Sequence, residues 1–324
     1  MSPRGDRILA VDVGGTKIMA ALVDSRFKVL ARYKKKTKAY KGPREVLRRI
    51  VRCVDGLFTE HRLDRRSVGA LGMAVAGSVD FRTGRVLFSP NLGFHNAPLR
   101  RLMSQTYKCP IFIENDVKAG TLAEARLGAA RGASSVLGAF LGTGIGGGIL
   151  IDGKIYRGEG FTAGEVGHMI VEPGGPRCGC GRRGCWEAVA GRLALARDIK
   201  KAVKDGRKSV LKKLALGRPD EMGSNDIREA LENHDAVARD AVARAGRASG
   251  IALASLVNVL NPRVVVVGGG QVEAFGRFLL PEIKRAFESH AIPAAARLAK
   301  IVPARLKDDA VLLGAAVTAR ENLP

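Results

Sequence analysis

A duplicated α/β architecture with a cleft between its halves is the fold class this sequence predicts, on two observations. Strand–glycine turn–strand units occur twice, at residues 7–23 and 135–155, and each is followed by helical stretches and a further buried strand. No short period recurs along the chain, which excludes a solenoid. The 324 residues, 46% of them hydrophobic, are enough for one large domain or two ordinary ones. Aromatic residues make up only 5%, so the core must be built mainly from Ala, Val, Leu and Ile.

Residues 7–13 read as a strand, Gly14-Gly15 as a turn, and residues 18–23 and 26–33 as the second and third strands of a meander. Pro43 opens a helical pattern with Val46, Leu47, Ile50, Val51, Val54 and Leu57 on one face. Strands follow at 68–75 and 111–113, the latter ending at Glu114-Asn115-Asp116, and 117–127 is helical. In the second half, 135–141 is a strand, 142–148 a glycine-rich turn and 149–155 a strand. Long helices are expected over 186–204 and 226–260. A buried strand at 264–267 runs into Gly268-Gly269-Gly270, and a helix over 310–320 follows.

Composition narrows the function classes. Three of five cysteines crowd together at Cys178, Cys180 and Cys185, which is not a disulfide framework and points to a reducing, cytoplasmic setting. The N-terminal residues lack the apolar core of a signal peptide, and the uncharged stretch 132–151 reads as two strands around glycines rather than a membrane span. With 54 Lys+Arg against 31 Asp+Glu, the net charge of +23 favours polyanions in general. The one dense basic run, Lys34 to Lys41, reads as a sheet edge blunted by lysines. No recognition helix accompanies it, so no specific nucleic acid and no membrane is expected as a partner.

Four motifs carry chemistry. In Asp12-Val13-Gly14-Gly15-Thr16-Lys17, paired glycines let backbone N–H groups approach a phosphate, and Asp12 at a strand end could hold Mg²⁺ through water. A strand follows rather than a helix, so this is not a Walker A loop. The second turn contains Thr143 and Gly144. Its Gly142, Gly144 and Gly147 formally match a dinucleotide fingerprint, but again no helix follows, and a nicotinamide cofactor is rejected. Two phosphate-cradling hairpins facing each other fit better. At Glu114-Asn115-Asp116 a carboxylate could take a proton from a substrate hydroxyl, or Asn115 or Asp116 could simply cap a helix. Finally, His168 with Cys178, Cys180 and Cys185 supplies four ligands for a closed tetrahedral zinc site, which would be structural and would aim Glu165 and Glu187 at the cleft.

In this order and spacing the motifs resemble the ROK family (repressors, open reading frames and kinases) over essentially the whole chain. The Glu-x-Gly-His and Cys-x-Cys-Gly-x-x-Gly-Cys-x-Glu pair carries most of that likeness. The resemblance implies the hexokinase/actin-like (ribonuclease H-like) fold: a small α/β domain from 1–120 plus 305–324, and a large one from 121–304 with the zinc loop, closing on nucleotide and sugar. It implies a cytoplasmic, dimeric, ATP-dependent hexose kinase using Mg²⁺ and structural Zn²⁺, with glucose as the foremost substrate. Asp116 matches the catalytic base. Gly77, Asn91, Asn115, Glu165, His168 and Glu187 match sugar partners. Asp12, Gly14, Gly15, Thr16, Lys17, Thr143 and Gly144 match the phosphate turns, and Gly268, Gly269 and Gly270 the adenosine loop. Phe94 departs from the Trp of many relatives. N-acetylmannosamine, N-acetylglucosamine, fructose or mannose remain alternative acceptors, and polyphosphate an alternative donor. A non-catalytic sugar sensor is a further alternative. Only six residues precede the first strand, so the helix-turn-helix domain of the family's repressors is not expected.

Overall fold

The structure, a computed structural model, describes residues 5–323. The chain opens with β1 (Arg7–Val13), β2 (Lys17–Val23) and β3 (Val29–Lys36), followed by α1 (Pro43–Glu60) and β4 (Val68–Val75). A small antiparallel sheet comes next, β5 (Ser78–Asp80), β6 (Arg85–Ser89) and β7 (Phe94–Ala97), then α2 (Leu99–Ser104) and β8 (Ile111–Asn115). The first large sheet has the order β3-β2-β1-β4-β8. Its β1, β4 and β8 are parallel, so their C-terminal ends share one edge. These strands are nearly continuous apolar runs because both faces are covered, one by the Val46, Ile50, Val54 and Leu57 stripe of α1. The third strand extends to Lys36, beyond the expected 26–33, and forms the sheet edge, with Arg32, Lys34 and Lys36 exposed.

The second half begins with α3 (Asp116–Arg126), β9 (Val136–Leu141), β10 (Ile145–Ile151) and β11 (Lys154–Ile155). Helices follow: α4 (Trp186–Ala190), α5 (Arg192–Lys204), α6 (Lys212–Gly217), α7 (Ser224–Glu232) and α8 (Ala236–Leu260). The remaining elements are β12 (Val264–Gly268), α9 (Gly270–His290), α10 (Pro293–Leu298), β13 (Lys300–Pro303) and α11 (Ala310–Glu321). The second large sheet, β11-β10-β9-β12-β13, repeats the logic of the first. Among the described residues no helix is long and apolar enough to cross a membrane.

Several expectations are corrected. The turn expected over 142–148 is confined to Gly142-Thr143-Gly144, and Gly146, Gly147 and Gly148 lie inside β10. Those glycines admit close neighbours. A Cβ would stand 2.6 Å from Val117 at Gly146, 2.6 Å from Val166 at Gly147 and 2.3 Å from the Thr121 hydroxyl at Gly148. The helix expected over 186–204 breaks at Gly191, whose backbone is extended. The helix expected over 226–260 breaks at His234, in the left-handed region with φ 57°, and restarts where Asp235 accepts a 2.9 Å hydrogen bond from Ala238 N. The small sheet and α9 were not anticipated.

Between the large sheets lie α3, packed on β9 and β10, and α11, packed on β1 and β4. Ala119 and Ala123 of α3 share one buried cluster with Ala315, Ala316 and Ala319 of α11. Small residues are required there: a Cβ on Gly72 would lie 2.0 Å from the Ala315 carbonyl, and one on Gly314 2.0 Å from that of Ala119. The expected domain division at 120/121 falls inside α3. Its Ala119 and Ala123 join the cluster of the first sheet, whereas Leu122 and Ala125 join Val136, Leu150 and Val266 of the second. Gly314→Ala should therefore destabilise the protein by about 1–3 kcal/mol through overpacking, despite a helix-propensity gain of about 1 kcal/mol. Gly217→Ala, at a site with no atom within 4 Å, should be neutral or stabilising. Urea titrations of both variants check this.

Candidate active site

The C-terminal edge of the first sheet carries the candidate reactive groups Asp12, Asn115 and Asp116. Asn115 ends β8 and caps α3 by accepting a 2.9 Å hydrogen bond from Lys118 N. Its Nδ2 donates to the Gly77 carbonyl at 3.0 Å and to Asp116 Oδ1 at 2.9 Å, and Val117 N donates to the same oxygen at 3.0 Å. Gly77 has φ 127°, and a Cβ there would lie 2.4 Å from the Phe88 carbonyl, so only glycine seats that carbonyl against Asn115. Burial pushes the Asp116 carboxyl above the ordinary carboxylate range, and the nearby Glu165 carboxylate adds to the shift.

Asp12 stands in β1 beside the first glycine turn. Burial pushes its carboxyl up to about 7, with Asp116 contributing and Lys17 opposing. Two mutually repelling carboxylates with one lysine nearby form a donor set that a divalent cation would satisfy. The turn itself is closed by Gly14 N donating to Lys17 O at 3.0 Å and by the Thr37 hydroxyl donating to Gly14 O at 2.7 Å. A Cβ on Gly15 would lie 3.3 Å from the Asn91 side chain, so Asn91 and the turn adjoin. Lys17 Nζ is 3.7 Å from Asp308. Asp308 helps raise Glu273 in the first turn of α9, although burial is the larger cause. The first glycine turn thus looks across Asp308 at the start of α9.

The second turn, Gly142-Thr143-Gly144, and the run Gly268-Gly269-Gly270 also meet. Gly269 is left-handed, with φ 90°, and a Cβ there would sit 2.6 Å from the Leu141 carbonyl. Gln271, wholly buried, donates from Nε2 to Gly142 O and Ala190 O at 3.1 Å each and locks the two glycine segments together. Glu187 Oε2 accepts from Ile145 N at 3.0 Å, so this carboxylate closes the second turn.

His168, Cys178, Cys180 and Cys185 converge, with their ligand atoms all within 4.8 Å of one another. Cys178 Sγ is 3.7 Å from His168 Nδ1, and Cys180 Sγ is 3.6 Å from Cys185 Sγ. Four ligands about 2.3 Å from a shared centre stand about 3.8 Å apart, so the set fits a tetrahedral metal ion. The backbone N–H of Arg182 lowers the Cys180 thiol to about 7, towards the thiolate that a metal needs. Glu165 caps and His168 ends a short 3-10 turn, and both are exposed.

A family model described as the ROK family matches residues 8–322. The chain belongs to the ROK family. The glucokinase of Thermotoga maritima is 32% identical over 98% of both chains. A ROK glucokinase structure from Streptomyces griseus, in complex with glucose and AMPPNP, superposes with TM-score 0.84 and 35% identity, covering 98% of this chain and 100% of that one. A ROK transcriptional regulator, a homologue of the E. coli MLC protein, superposes with TM-score 0.86 and 28% identity over 97% of this chain and 78% of its own. These likenesses establish the hexokinase/actin-like two-domain fold. Kinases and regulators share that fold, so function has to be argued from the site.

In this ROK chain sequence reasoning missed the residues that hold the Glu165 segment against the first sheet. Arg157 Nε donates to Glu114 Oε2 at 2.8 Å, and Lys118 Nζ donates to Phe161 O at 2.7 Å. Arg157 also covers the Phe81 ring at 3.8 Å, and Arg82 covers Phe161 at 4.7 Å. Partners more than forty residues apart leave no local pattern. Glu114 is fully buried, and removing Arg157 takes away its ion-pair partner and leaves only the more distant charge of Lys118. Arg157→Ala should cost about 3 kcal/mol of stability, and the loss should shrink in a Glu114→Gln background. Chemical denaturation of the two single variants and the double variant measures it.

Proposed function

We propose that the chain is an ATP-dependent hexose kinase with glucose as its foremost acceptor and Asp116 as the base. The observation carrying this reading is the position of Asp116, between the sugar-partner candidates Asn115 and Glu165 and beside Asp12 at the first glycine turn. The bound AMPPNP and glucose of the Streptomyces griseus structure support a nucleotide donor and a glucose acceptor. Asn91, Asn115, Glu165, His168 and Glu187, with the Gly77 backbone, would bind sugar hydroxyls and reject sugars that leave them unpaired. The two glycine turns would hold the donor phosphates, and Gly268 to Gly270 the nucleoside. Asp116 accepts the proton of the attacking hydroxyl as that oxygen bonds to the γ-phosphorus and ADP leaves. Mg²⁺ near Asp12 would supply charge neutralisation. Closure of the two units on nucleotide and sugar would exclude water that could otherwise hydrolyse the nucleotide. The regulator likeness favours a second reading, a sugar sensor, which turnover separates from the first.

Asp116→Asn should retain the fold and sugar affinity while lowering turnover by roughly 10²-fold or more. The lone Trp186, buried beside Glu187, offers a fluorescence readout of sugar binding. Because the base acts deprotonated and its pKa is raised, wild-type kcat/KM should fall as pH drops through a value above that of an ordinary aspartate. Unchanged turnover in the variant would remove Asp116 from catalysis.

We also propose one structural zinc per chain on His168, Cys178, Cys180 and Cys185. Cys180→Ala should lose the metal together with activity, since the same loop seats Glu187. Metal analysis of purified protein checks this, and zinc-free active wild type would contradict it.

A further inference from the structure

Arg192 begins α5, and the resemblance assigns it nothing. Its backbone N donates to Gly142 O at 3.0 Å, so the residue is anchored on the second glycine turn. Its side chain is half-buried and fixed by neutral groups alone. Nη1 donates to the carbonyls of Asp220 and Met222, and Nη2 to Thr143 Oγ1 at 3.4 Å. Among the described residues no carboxylate balances this cation. Elsewhere the half-buried guanidinium of Arg157 has such a partner in Glu114. Arg192 therefore places a fixed, uncompensated charge beside the turn.

A guanidinium carries five N–H donors. Nε–H and one Nη2–H have no partner here, and neither nitrogen is buried. These two donors form one edge of the fork, which matches two oxygens of a phosphate. Thr143 Oγ1 accepts from Arg192, so its own hydrogen stays free to donate to the same anion. Gln271 binds the same Gly142 carbonyl as the Arg192 backbone and joins the turn to the start of α9. A phosphate on this edge would lie beside the second turn, which Gln271 ties to the proposed nucleoside loop.

We propose that Arg192 binds a phosphate of the nucleotide donor through its Nε–Nη2 edge and sets the preference for more highly phosphorylated nucleotides. This rests on the kinase reading. The test measures binding by calorimetry, without sugar, of Mg-ATP, ADP, AMP and adenosine to wild type, Arg192→Gln and Arg192→Lys. Arg192→Gln should weaken ATP by about 10- to 100-fold, as expected for a lost charge-assisted hydrogen bond, and should leave adenosine unchanged. Arg192→Lys should recover part of the loss, since it keeps the charge but not the fork. An equal loss for adenosine would show that Arg192 merely supports the fold, and unchanged ATP affinity would remove it from the site; either result overturns the proposal while leaving the kinase reading intact. If wild type bound ATP no better than adenosine, the donor assignment would fail and the proposal with it.

Discussion

The close approach of α11 to β4 on one side and to α3 on the other governs this molecule. At Gly72 and Gly314 there is no room for a Cβ against the facing carbonyls, and alanines fill the rest of the contact. Helices packed backbone to backbone cannot slide without breaking many contacts at once. The helix held this way, α3, starts with Asp116. The same packing fixes β1 and β4, whose ends supply Asp12 and lead to Gly77. This packing makes a rigid floor, as the proton acceptor proposed at Asp116 would require.

The groups facing that floor are held by a different device. Glu165 and His168 lie on a single 3-10 turn, Val166–His168, which no sheet ladder or longer helix fixes. Buried charge does so instead: Glu114 and Lys118, on either side of Asp116 in sequence, grip Arg157 and the Phe161 carbonyl. The thiol–imidazole cluster anchors the other end of this segment. The segment carrying the proposed sugar partners Glu165 and His168 is thereby tied at two points, while both residues remain exposed.

Much of this was legible in the sequence because its signals are local. Apolar runs of fixed length marked β1, β4 and β12, the α1 stripe was periodic, and one His with three close cysteines marked the cluster. Glycine was the least legible residue. At Gly142 and Gly144 it makes a turn, at Gly146 to Gly148 it lets α3 and the Glu165 segment lie on a strand, and at Gly191 it ends a helix. Composition cannot separate these uses, since each depends on a neighbour distant in sequence. The three strands of the small sheet are too short for a clear alternation. Arg157, Arg192 and Gln271 were invisible for the same reason as the glycines, their partners being set only by the fold.

Product formation tests the account most directly. Purified protein is incubated with Mg-ATP and, in turn, glucose, mannose, fructose and the N-acetylhexosamines, while ADP and sugar phosphate are quantified together. The account predicts equimolar ADP and hexose phosphate, with glucose giving the fastest rate. Sugar binding with no ADP formed on any hexose would contradict it and would make this chain a sensor built on a kinase fold.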